Sequence, residues 1–333
     1  MAATTSRTSA ENLEIQARLD KAAARRQLTG KIIPYMGLVF LLVFFSIVTG
    51  GKFLSAANLS NMIEQCFTMA LVATGASFVY AHGNMDFSIG AACGVAQMCG
   101  AILFLQAGVP FPAAMLAALA VPVGTCLLVF LISVVFKVPV FIGSMCIRSL
   151  LMGILTIGVS RAEIIIPVSQ YPYMTSGVVK AVILVLVIGT GVYLFHYTPI
   201  GKWGRAIGGN RNTARQAGVK VNRQMLLAYV FLGLCVGIAS IFQMFRASTV
   251  SINSGSGIEF NIMLAIVLGG FPMSGGEKAS VPSAVLGAVI ATLLVNGLAL
   301  WGLDANLVNG VKGVIFVIMI ALSYDRSAGK LVS

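Results

Sequence analysis

Residues 87–136 contain no charged side chain, and this stretch is far longer than one crossing of a lipid bilayer requires. About twenty apolar residues in helical form cross the hydrocarbon, so the stretch predicts two spans. Two prolines in Ala107–Pro112 stop helix continuation, and we place the break between the spans there. Only 10% of the whole chain is charged, against about 25% in a soluble domain. The sequence therefore predicts an all-α polytopic membrane protein.

Ten apolar segments follow one another along the chain, and about ten transmembrane helices are predicted. They lie at 32–50, 66–84, 87–107, 112–136, 139–159, 177–197, 224–245, 259–272, 281–301 and 308–324. With the N-terminus inside, ten spans place 16 of the 22 Lys and Arg residues in cytoplasmic segments, and both termini are then cytoplasmic. We predict a cytoplasmic polar tail at 1–31, a transmembrane domain at 32–324 and a cytoplasmic tail at 325–333.

The segment 198–223 is the one long polar stretch between apolar segments. It carries six basic residues and no acid, which places it on the cytoplasmic side of a membrane. The basic residues are Lys202, Arg205, Arg211, Arg215, Lys220 and Arg223. We predict that this cytoplasmic loop, with its short Ala-rich stretch, is the part that a soluble partner contacts.

Few ionisable residues lie within or near the apolar segments: Glu64, Asp86, Arg148, Glu259 and Lys312. A charge at the bilayer centre costs about 3 kcal/mol on insertion scales, so such groups face protein or water. Asp86 and Glu259 each begin an apolar segment, where a carboxylate suits the positive end of a helix dipole. A structural cap and a place in a substrate path both stay open for them. Arg148 lies deepest, and we predict that it contacts a carboxylate or a carbonyl on another helix.

Asp86–Ile89 and Glu259–Ile262 have similar sequences, and each opens an apolar segment. The predicted topology places the two on opposite faces of the membrane, as the halves of an inverted repeat would be. A chance match between four residues of an apolar chain is the alternative.

Several kinds of chemistry are excluded by what the sequence lacks. Gly270–Lys278 has the glycine spacing of a phosphate loop, but Gly276 and Glu277 stand where Lys and Ser or Thr would bind phosphate and magnesium. We read it as a tight cytoplasmic turn. The six cysteines lie in apolar runs without a Cys-x-x-Cys pair, and there are only two histidines. We therefore predict no catalytic residues, no metal, no cofactor and no nucleic-acid partner.

The chain resembles the membrane permease subunits of bacterial ABC importers for ribose, xylose, arabinose and similar solutes. Asn84–Ala91 is similar to the Gly-Ile-Asp-Leu-Ser-Val-Gly-Ser signature of that family. The other matching motifs are Val138–Ile142, Thr198–Gly201, Ala206–Asn210 with Ala214 and Ala217–Val219, Gly257–Phe260, and Leu268–Gly270 with Gly275–Gly276. The similarity covers roughly residues 55–323.

The resemblance implies a permease of the type II importer class, with two inverted halves like those of the vitamin B12 permease, in the bacterial cytoplasmic membrane. It implies three kinds of partner: cytoplasmic ABC ATPase subunits, a second permease chain and a periplasmic or lipid-anchored substrate-binding protein. The predicted substrate path comprises Asn84, Asp86, Phe87, Ser88, Glu259 and Asn261. The predicted ATPase-coupling residues are Arg205, Gly209, Asn210, Arg211, Ala214, Arg215, Gly218 and Val219, with a short coupling helix around Arg211–Val219.

Departures from the family pattern leave the cargo open. Glu64 stands where the family usually has a basic residue, and the external stretch at about 160–176 is short. A monosaccharide is the first expectation, and an ABC permease for a non-sugar solute is the alternative within the class. Outside it, the alternatives are a cation-coupled secondary transporter, which needs a midplane carboxylate site, and a non-transporting membrane scaffold.

Overall fold

A computed structural model describes residues 33–159 and 163–323, so the predicted tails at 1–31 and 325–333 lie outside the described residues. The larger helices are α1 (Ile33–Val48), α2 (Ala56–Ala81), α3 (Ile89–Leu105), α4 (Phe111–Val135), α5 (Val140–Val159), α7 (Gly177–Tyr197), α10 (Val221–Ala247), α11 (Ile258–Leu268), α12 (Val281–Leu300) and α13 (Ala305–Ser323). The shorter ones are α6 (Pro172–Thr175), α8 (Pro199–Gly209) and α9 (Arg211–Gln216), with 3-10 turns at Lys52–Leu54 and Val168–Gln170. Strands β1 (Ile164–Ile165) and β2 (Thr249–Val250) pair antiparallel.

Each of the ten predicted apolar segments forms a helix. Within the described ranges, six of these helices are long and apolar enough to cross a membrane, namely α2, α4, α5, α7, α10 and α12. The helices α1, α3, α11 and α13 are also apolar, but their apolar stretches are shorter than those of the six. The fold is therefore all-α and polytopic, as the sequence predicts.

Helix α2 begins ten residues before the predicted apolar segment at 66–84. Its first turns are polar, and the Ser55 hydroxyl caps them by accepting the N–H of Asn58 at 3.4 Å. The Asn58 amide donates to the Phe53 carbonyl at 2.8 Å and to Oδ1 of Asn296 in α12 at 3.0 Å. Because a neighbouring helix satisfies this buried amide, the polar turns join the bundle despite their low hydropathy.

The segment 198–223, predicted as the cytoplasmic loop between two spans, is mostly helical in the structure. Pro199 stands in the first turn of α8, where its missing N–H costs nothing. Asn210 ends α8 and caps α9, because its side-chain oxygen accepts the N–H groups of Asn212 and Thr213, both at 3.0 Å. A short helix therefore forms at Arg211–Gln216, within the range predicted for a coupling helix, and α10 begins at Val221; its coupling role stays a prediction.

The helices α3 and α11 begin beside each other, and the placement of the two similar motifs on opposite membrane faces stays a prediction. A Cβ on Gly90, in the first turn of α3, would meet the Glu259 carboxylate and the Gly255 carbonyl. The carbonyl of Ser254 likewise lies against Gly94. Non-helical backbone at 82–88 and 248–257 leads the chain into the bundle before each helix starts. α3 has 17 residues and α11 has 11, and the N-termini of the two helices meet inside the protein.

A backbone junction joins α2, α8 and the turn between α11 and α12. The Ala81 carbonyl at the end of α2 accepts the N–H of Gly276 at 3.1 Å. Gly208 in α8 packs against both groups, and a Cβ there would lie 2.6 Å from the Gly276 nitrogen and closer still to the Ala81 oxygen. Gly276 itself has φ of 96°, a conformation that favours glycine. We call Ala81, Gly208 and Gly276 the glycine junction.

We predict that Gly208→Ala lowers the apparent melting temperature of the purified permease. The added methyl group has no room between two backbones, and overpacking of this kind costs about 1–3 kcal/mol. Gly209→Ala is the matched control, because a Cβ there meets no described atom within 4 Å. Alanine favours a helix over glycine, so the control is expected to hold or gain stability. Equal melting temperatures for the two variants would contradict the packing of the junction.

Candidate functional site

A polar cavity of about 260 Å³ lies between α2, α10, α11 and α12. Six uncharged side chains that can form hydrogen bonds line it, together with one cation, Arg246, and four apolar residues. The six are Gln65, Thr68, Gln243, Ser256, Asn261 and Thr292. Hydroxyl and amide groups both donate and accept, so the cavity can satisfy a small solute rich in hydroxyl groups.

Asn261 is the one predicted path residue that lines this cavity. Its Oδ1 accepts a hydrogen bond from Nζ of Lys312 in α13 at 3.1 Å, which holds the amide in place and leaves its NH2 group for other partners. Five of the cavity's polar residues were missed from the sequence. The sequence does contain a signal for them. Gln65 and Thr68 in α2 and Gln243 in α10 are uncharged polar residues beside or within apolar runs.

Asp86 and Ser88 are fully buried where the chain enters α3. Oδ1 of Asp86 accepts both the N–H of Ser88, at 2.8 Å, and its hydroxyl, at 2.6 Å. The carboxylate therefore orders its own turn and makes no cap bond to α3. Its Oδ2 has no hydrogen-bond partner in the part of the chain that the structure describes.

Phe87 and Asn84 complete the entry to α3. The Phe87 ring makes edge contacts with Phe141 in α5, at 5.1 Å between centroids, and with Phe260 in α11, at 5.7 Å. Its N–H donates to the Ser144 hydroxyl at 3.1 Å. Asn84 is half-buried in the preceding turn. Phe87 packs the starts of α3 and α11 against α5. The place of these residues in a substrate path stays a prediction.

Glu259 forms an ion pair with Arg148, which confirms the predicted interhelical role of that arginine. Nε of Arg148 lies 2.9 Å from Oε1 of Glu259, and the glutamate side chain is 1% exposed. Oε2 has no hydrogen-bond partner among the residues described. Because one carboxylate is neutralised by one guanidinium, the pair adds no net charge to the bundle interior.

A second ion pair explains the unusual acid at Glu64. Nζ of Lys180 in α7 lies 2.6 Å from Oε2 of Glu64 in α2, with the lysine side chain 8% exposed. Nearby, Arg246 donates to Oδ1 of Asn61 at 3.2 Å. The acid in α2 therefore has a basic partner on the neighbouring helix.

The predicted coupling residues lie at the end of the bundle where α2 meets α8. Ala214 and Val219 are buried and attach α9 to the bundle, whereas Arg211 and Arg215 are exposed. The remaining predicted residues hold the geometry of the segment: Arg205 stacks over the Phe195 ring at 5.6 Å, Gly209 and Asn210 join the two helices, and Gly218 turns the chain with φ of 81°.

His82 lies beneath α8, directly after the last turn of α2. Its Nδ1 is 2.7 Å from the Phe78 carbonyl, and its ring packs against Gly204. Burial, with a smaller contribution from the charge of Arg211, lowers the pKa of His82 to about 4 against the opposing effect of the Phe78 hydrogen bond. The imidazole is therefore neutral at physiological pH, so α8 rests on an uncharged surface.

The glycine-rich stretch Gly270–Lys278 forms the tight turn that the sequence predicts. It links α11 to α12 and supplies Gly276 to the glycine junction. Within residues 33–159 and 163–323, no group of three or more His, Cys, Asp or Glu residues could hold a metal ion.

Comparison with known proteins gives a consistent result. A sequence model of the family described as "Branched-chain amino acid transport system / permease component" matches residues 58–322. The chain is 27% identical to the ribose import permease protein RbsC of Escherichia coli K12, over 89% of this chain and 94% of that protein. It is also 27% identical to the xylose transport system permease protein XylH of Haemophilus influenzae, over 90% and 96%, and to the probable ABC transporter permease protein YphD of Escherichia coli K12, over 90% and 92%. No solved structure matches the chain.

We predict that Arg148→Met destabilises the permease and that adding Glu259→Gln restores most of the loss. Removing the cation leaves a buried carboxylate uncompensated, which costs about 3 kcal/mol or more, whereas the neutral amide avoids that cost. The measurement is the apparent melting temperature of purified single and double variants. Lys180→Met is the control, with a smaller expected loss because its partner Glu64 is 27% exposed. Additive losses in the double variant would contradict the pairing.

Proposed function

The chain belongs to this family of transport-system permease components and is the membrane subunit of an ATP-driven importer, and from that premise we propose that it carries a monosaccharide. The polar cavity between α2, α10, α11 and α12 carries this proposal. Six neutral donor and acceptor side chains suit a neutral polyhydroxylated solute, which exchanges its hydration for hydrogen bonds with amides and hydroxyls. The relatives named for ribose and xylose point to the same solute class.

The solute path continues from the cavity to the place where the N-termini of α3 and α11 meet. Asn261 belongs to the cavity, and Asn84, Asp86, Phe87, Ser88 and Glu259 belong to the entry turns of α3 and α11. In transporters, broken helices place their N-termini at the substrate site near the bilayer midplane. The adjacency of Gly90 and Glu259 supports this arrangement.

All ten apolar helices cross the membrane in the arrangement that we propose, with both termini cytoplasmic. The shorter helices α3 and α11 do so together with the non-helical segments before them. The basic residues of α8 and α9 then lie inside the cell, as the positive-inside rule requires. The two halves of the chain are related as in type II importers.

The helices α8 and α9 receive the movement of the ATPases. Their exposed cations, Arg211 and Arg215, face the cytoplasm and suit an acidic groove on the ATPase surface. Two permease chains, two ATPase subunits and a substrate-binding protein on the outer side complete the importer. The binding protein supplies most of the selectivity, and the permease supplies a gated path.

The charge pattern disfavours a transporter that works alone on a cation gradient. Such a protein needs a carboxylate that a cation can reach near the midplane, whereas Glu259 is paired with Arg148 and Asp86 is fully buried with its Oδ1 bonded to Ser88. No observation on the described residues favours this second class over the first.

We predict that Gln243→Leu and Asn261→Leu each reduce ATP-driven uptake of ribose or xylose about tenfold. Each change removes a hydrogen-bonding group from the cavity while keeping its volume, and unpaired solute hydroxyls cost about 1–3 kcal/mol. Uptake is measured in proteoliposomes that contain the permease with its ATPase and binding protein. Met69→Leu, at an apolar position of the same cavity, is the control with unchanged uptake. Full uptake in both leucine variants would place the solute elsewhere.

We predict that reversing the charge of Arg211 and Arg215 uncouples ATP hydrolysis from transport. Acidic side chains at these exposed positions repel the acidic groove that we propose, so binding-protein stimulation of ATP hydrolysis should fall at least tenfold. The same reversal at Lys52, which precedes α2 at its other end, is the control and should leave the stimulation unchanged. Preserved stimulation in the Arg211→Glu/Arg215→Glu variant would argue against the coupling role.

A further inference from the structure

A second cavity, of about 230 Å³, lies beside the coupling segment and plays no part in the solute path. It is lined by Trp203 of α8, the turn from Ala217 to Lys220, and Arg223 and Gln224 at the start of α10. We call it the Trp203 groove. Two of its side chains are cationic, and the whole segment 198–223 has no acid to neutralise them.

The position of the groove along the chain indicates the membrane surface. α10 is an apolar helix long enough to span, and its first turn forms one wall of the groove. Trp203 is 40% exposed, and tryptophan is enriched where a protein passes from hydrocarbon to headgroups. The exposed cations of α9 precede the groove and do not line it. In the proposed orientation the groove therefore lies at headgroup level, with Gly218 and Val219 of the predicted coupling segment at its edge and the exposed face of α9 left for the ATPase.

Gln224 supplies an independent observation that a ligand belongs here. Its Oε1 atom is buried at the groove and has no hydrogen-bond donor within the described ranges. A buried amide oxygen without a donor is costly, and native proteins pair such atoms with protein, water or ligand. The groove thus offers two cations for a phosphate, and rotation of the Gln224 side chain would bring its unpaired oxygen to a hydroxyl donor in the groove.

We propose that the Trp203 groove binds the headgroup of an anionic phospholipid, with phosphatidylglycerol as its best match. Lys220 and Arg223 pair with the phosphate, and the Gln224 oxygen accepts a headgroup hydroxyl. The indole of Trp203 lies against the glycerol and the first methylene groups. A lipid bound in the groove contacts both α8 and α10. The position of the segment 198–223 therefore depends on the lipid composition of the inner leaflet. The inference rests on the proposed orientation and is independent of the cargo.

The emission of Trp203 reports directly on the groove. The chain has two tryptophans, so Trp301→Phe leaves Trp203 as the single indole. The full-length variant is placed in phosphatidylcholine nanodiscs with a rising fraction of phosphatidylglycerol. A saturable change in emission is expected, and Lys220→Gln/Arg223→Gln should need about tenfold more phosphatidylglycerol to reach it. Arg211→Gln/Arg215→Gln removes the same charge outside the groove and should respond like the parent.

Further arms separate the source of the phosphate and the role of Gln224. Soluble glycerol 3-phosphate should give no response, because it lacks acyl chains to bring it to the groove. Gln224→Leu should weaken the response to phosphatidylglycerol more than the response to phosphatidic acid, which has no headgroup hydroxyl.

Two results would overturn the lipid assignment. One is an equal response in the Lys220→Gln/Arg223→Gln variant and in the Arg211→Gln/Arg215→Gln control, since the effect would then be general surface charge. The other is an unchanged lipid response in Lys220→Gln/Arg223→Gln together with loss of ATPase co-purification, which would make the groove a protein contact. Neither result bears on sugar uptake, so failure here is distinct from failure of the proposed cargo.

Discussion

The hydrogen bond from Gly276 to the Ala81 carbonyl, 3.1 Å long, joins α2 to the turn between α11 and α12, and Gly208 packs α8 directly onto it. Side chains are absent from this contact, so backbone meets backbone and no flexible group can absorb a displacement. α2 ends at the junction, and α11 and α12 are joined by the turn that supplies Gly276. α10 follows α9 within five residues. Each helix that lines the polar cavity is therefore connected to the segment that α8 and α9 form.

This connection explains how one chain can serve as a gate without chemistry of its own. α2 carries Gln65 and Thr68 at the cavity and Ala81 at the junction, so a shift of α8 can reach the cavity that we propose for the solute through a single helix. The Arg148–Glu259 pair fixes α11 to α5 at the other end of the same path. Neutral polar groups line the cavity between these two attachments, which suits a solute that must be held weakly and released.

The sequence predicted what hydropathy and charge determine: the apolar segments, the helix at Arg211–Gln216 and a partner for Arg148. It failed where tertiary contacts override local composition. The polar start of α2 is helical because Asn58 bonds to Asn296, and the helix α8 was not foreseen within the polar segment. The meeting of α3 and α11 depends on non-helical entry segments that hydropathy cannot distinguish from spans. The cavity was missed because neutral polar residues carry no charge signal.

The central claim is that α9 and the turn carrying Gly276 move as one body when ATP drives the importer. Spin labels at Asn212 in α9 and Glu277 beside Gly276, both exposed, measure this directly in a complete, transport-competent complex lacking native cysteines. Pulsed electron spin resonance gives the distance between the labels in the nucleotide-free and ATP-trapped states. A rigid junction predicts the same distance in both states. A distance that changes with nucleotide would show that the coupling helices move independently of the junction, and the proposed transmission route would be wrong.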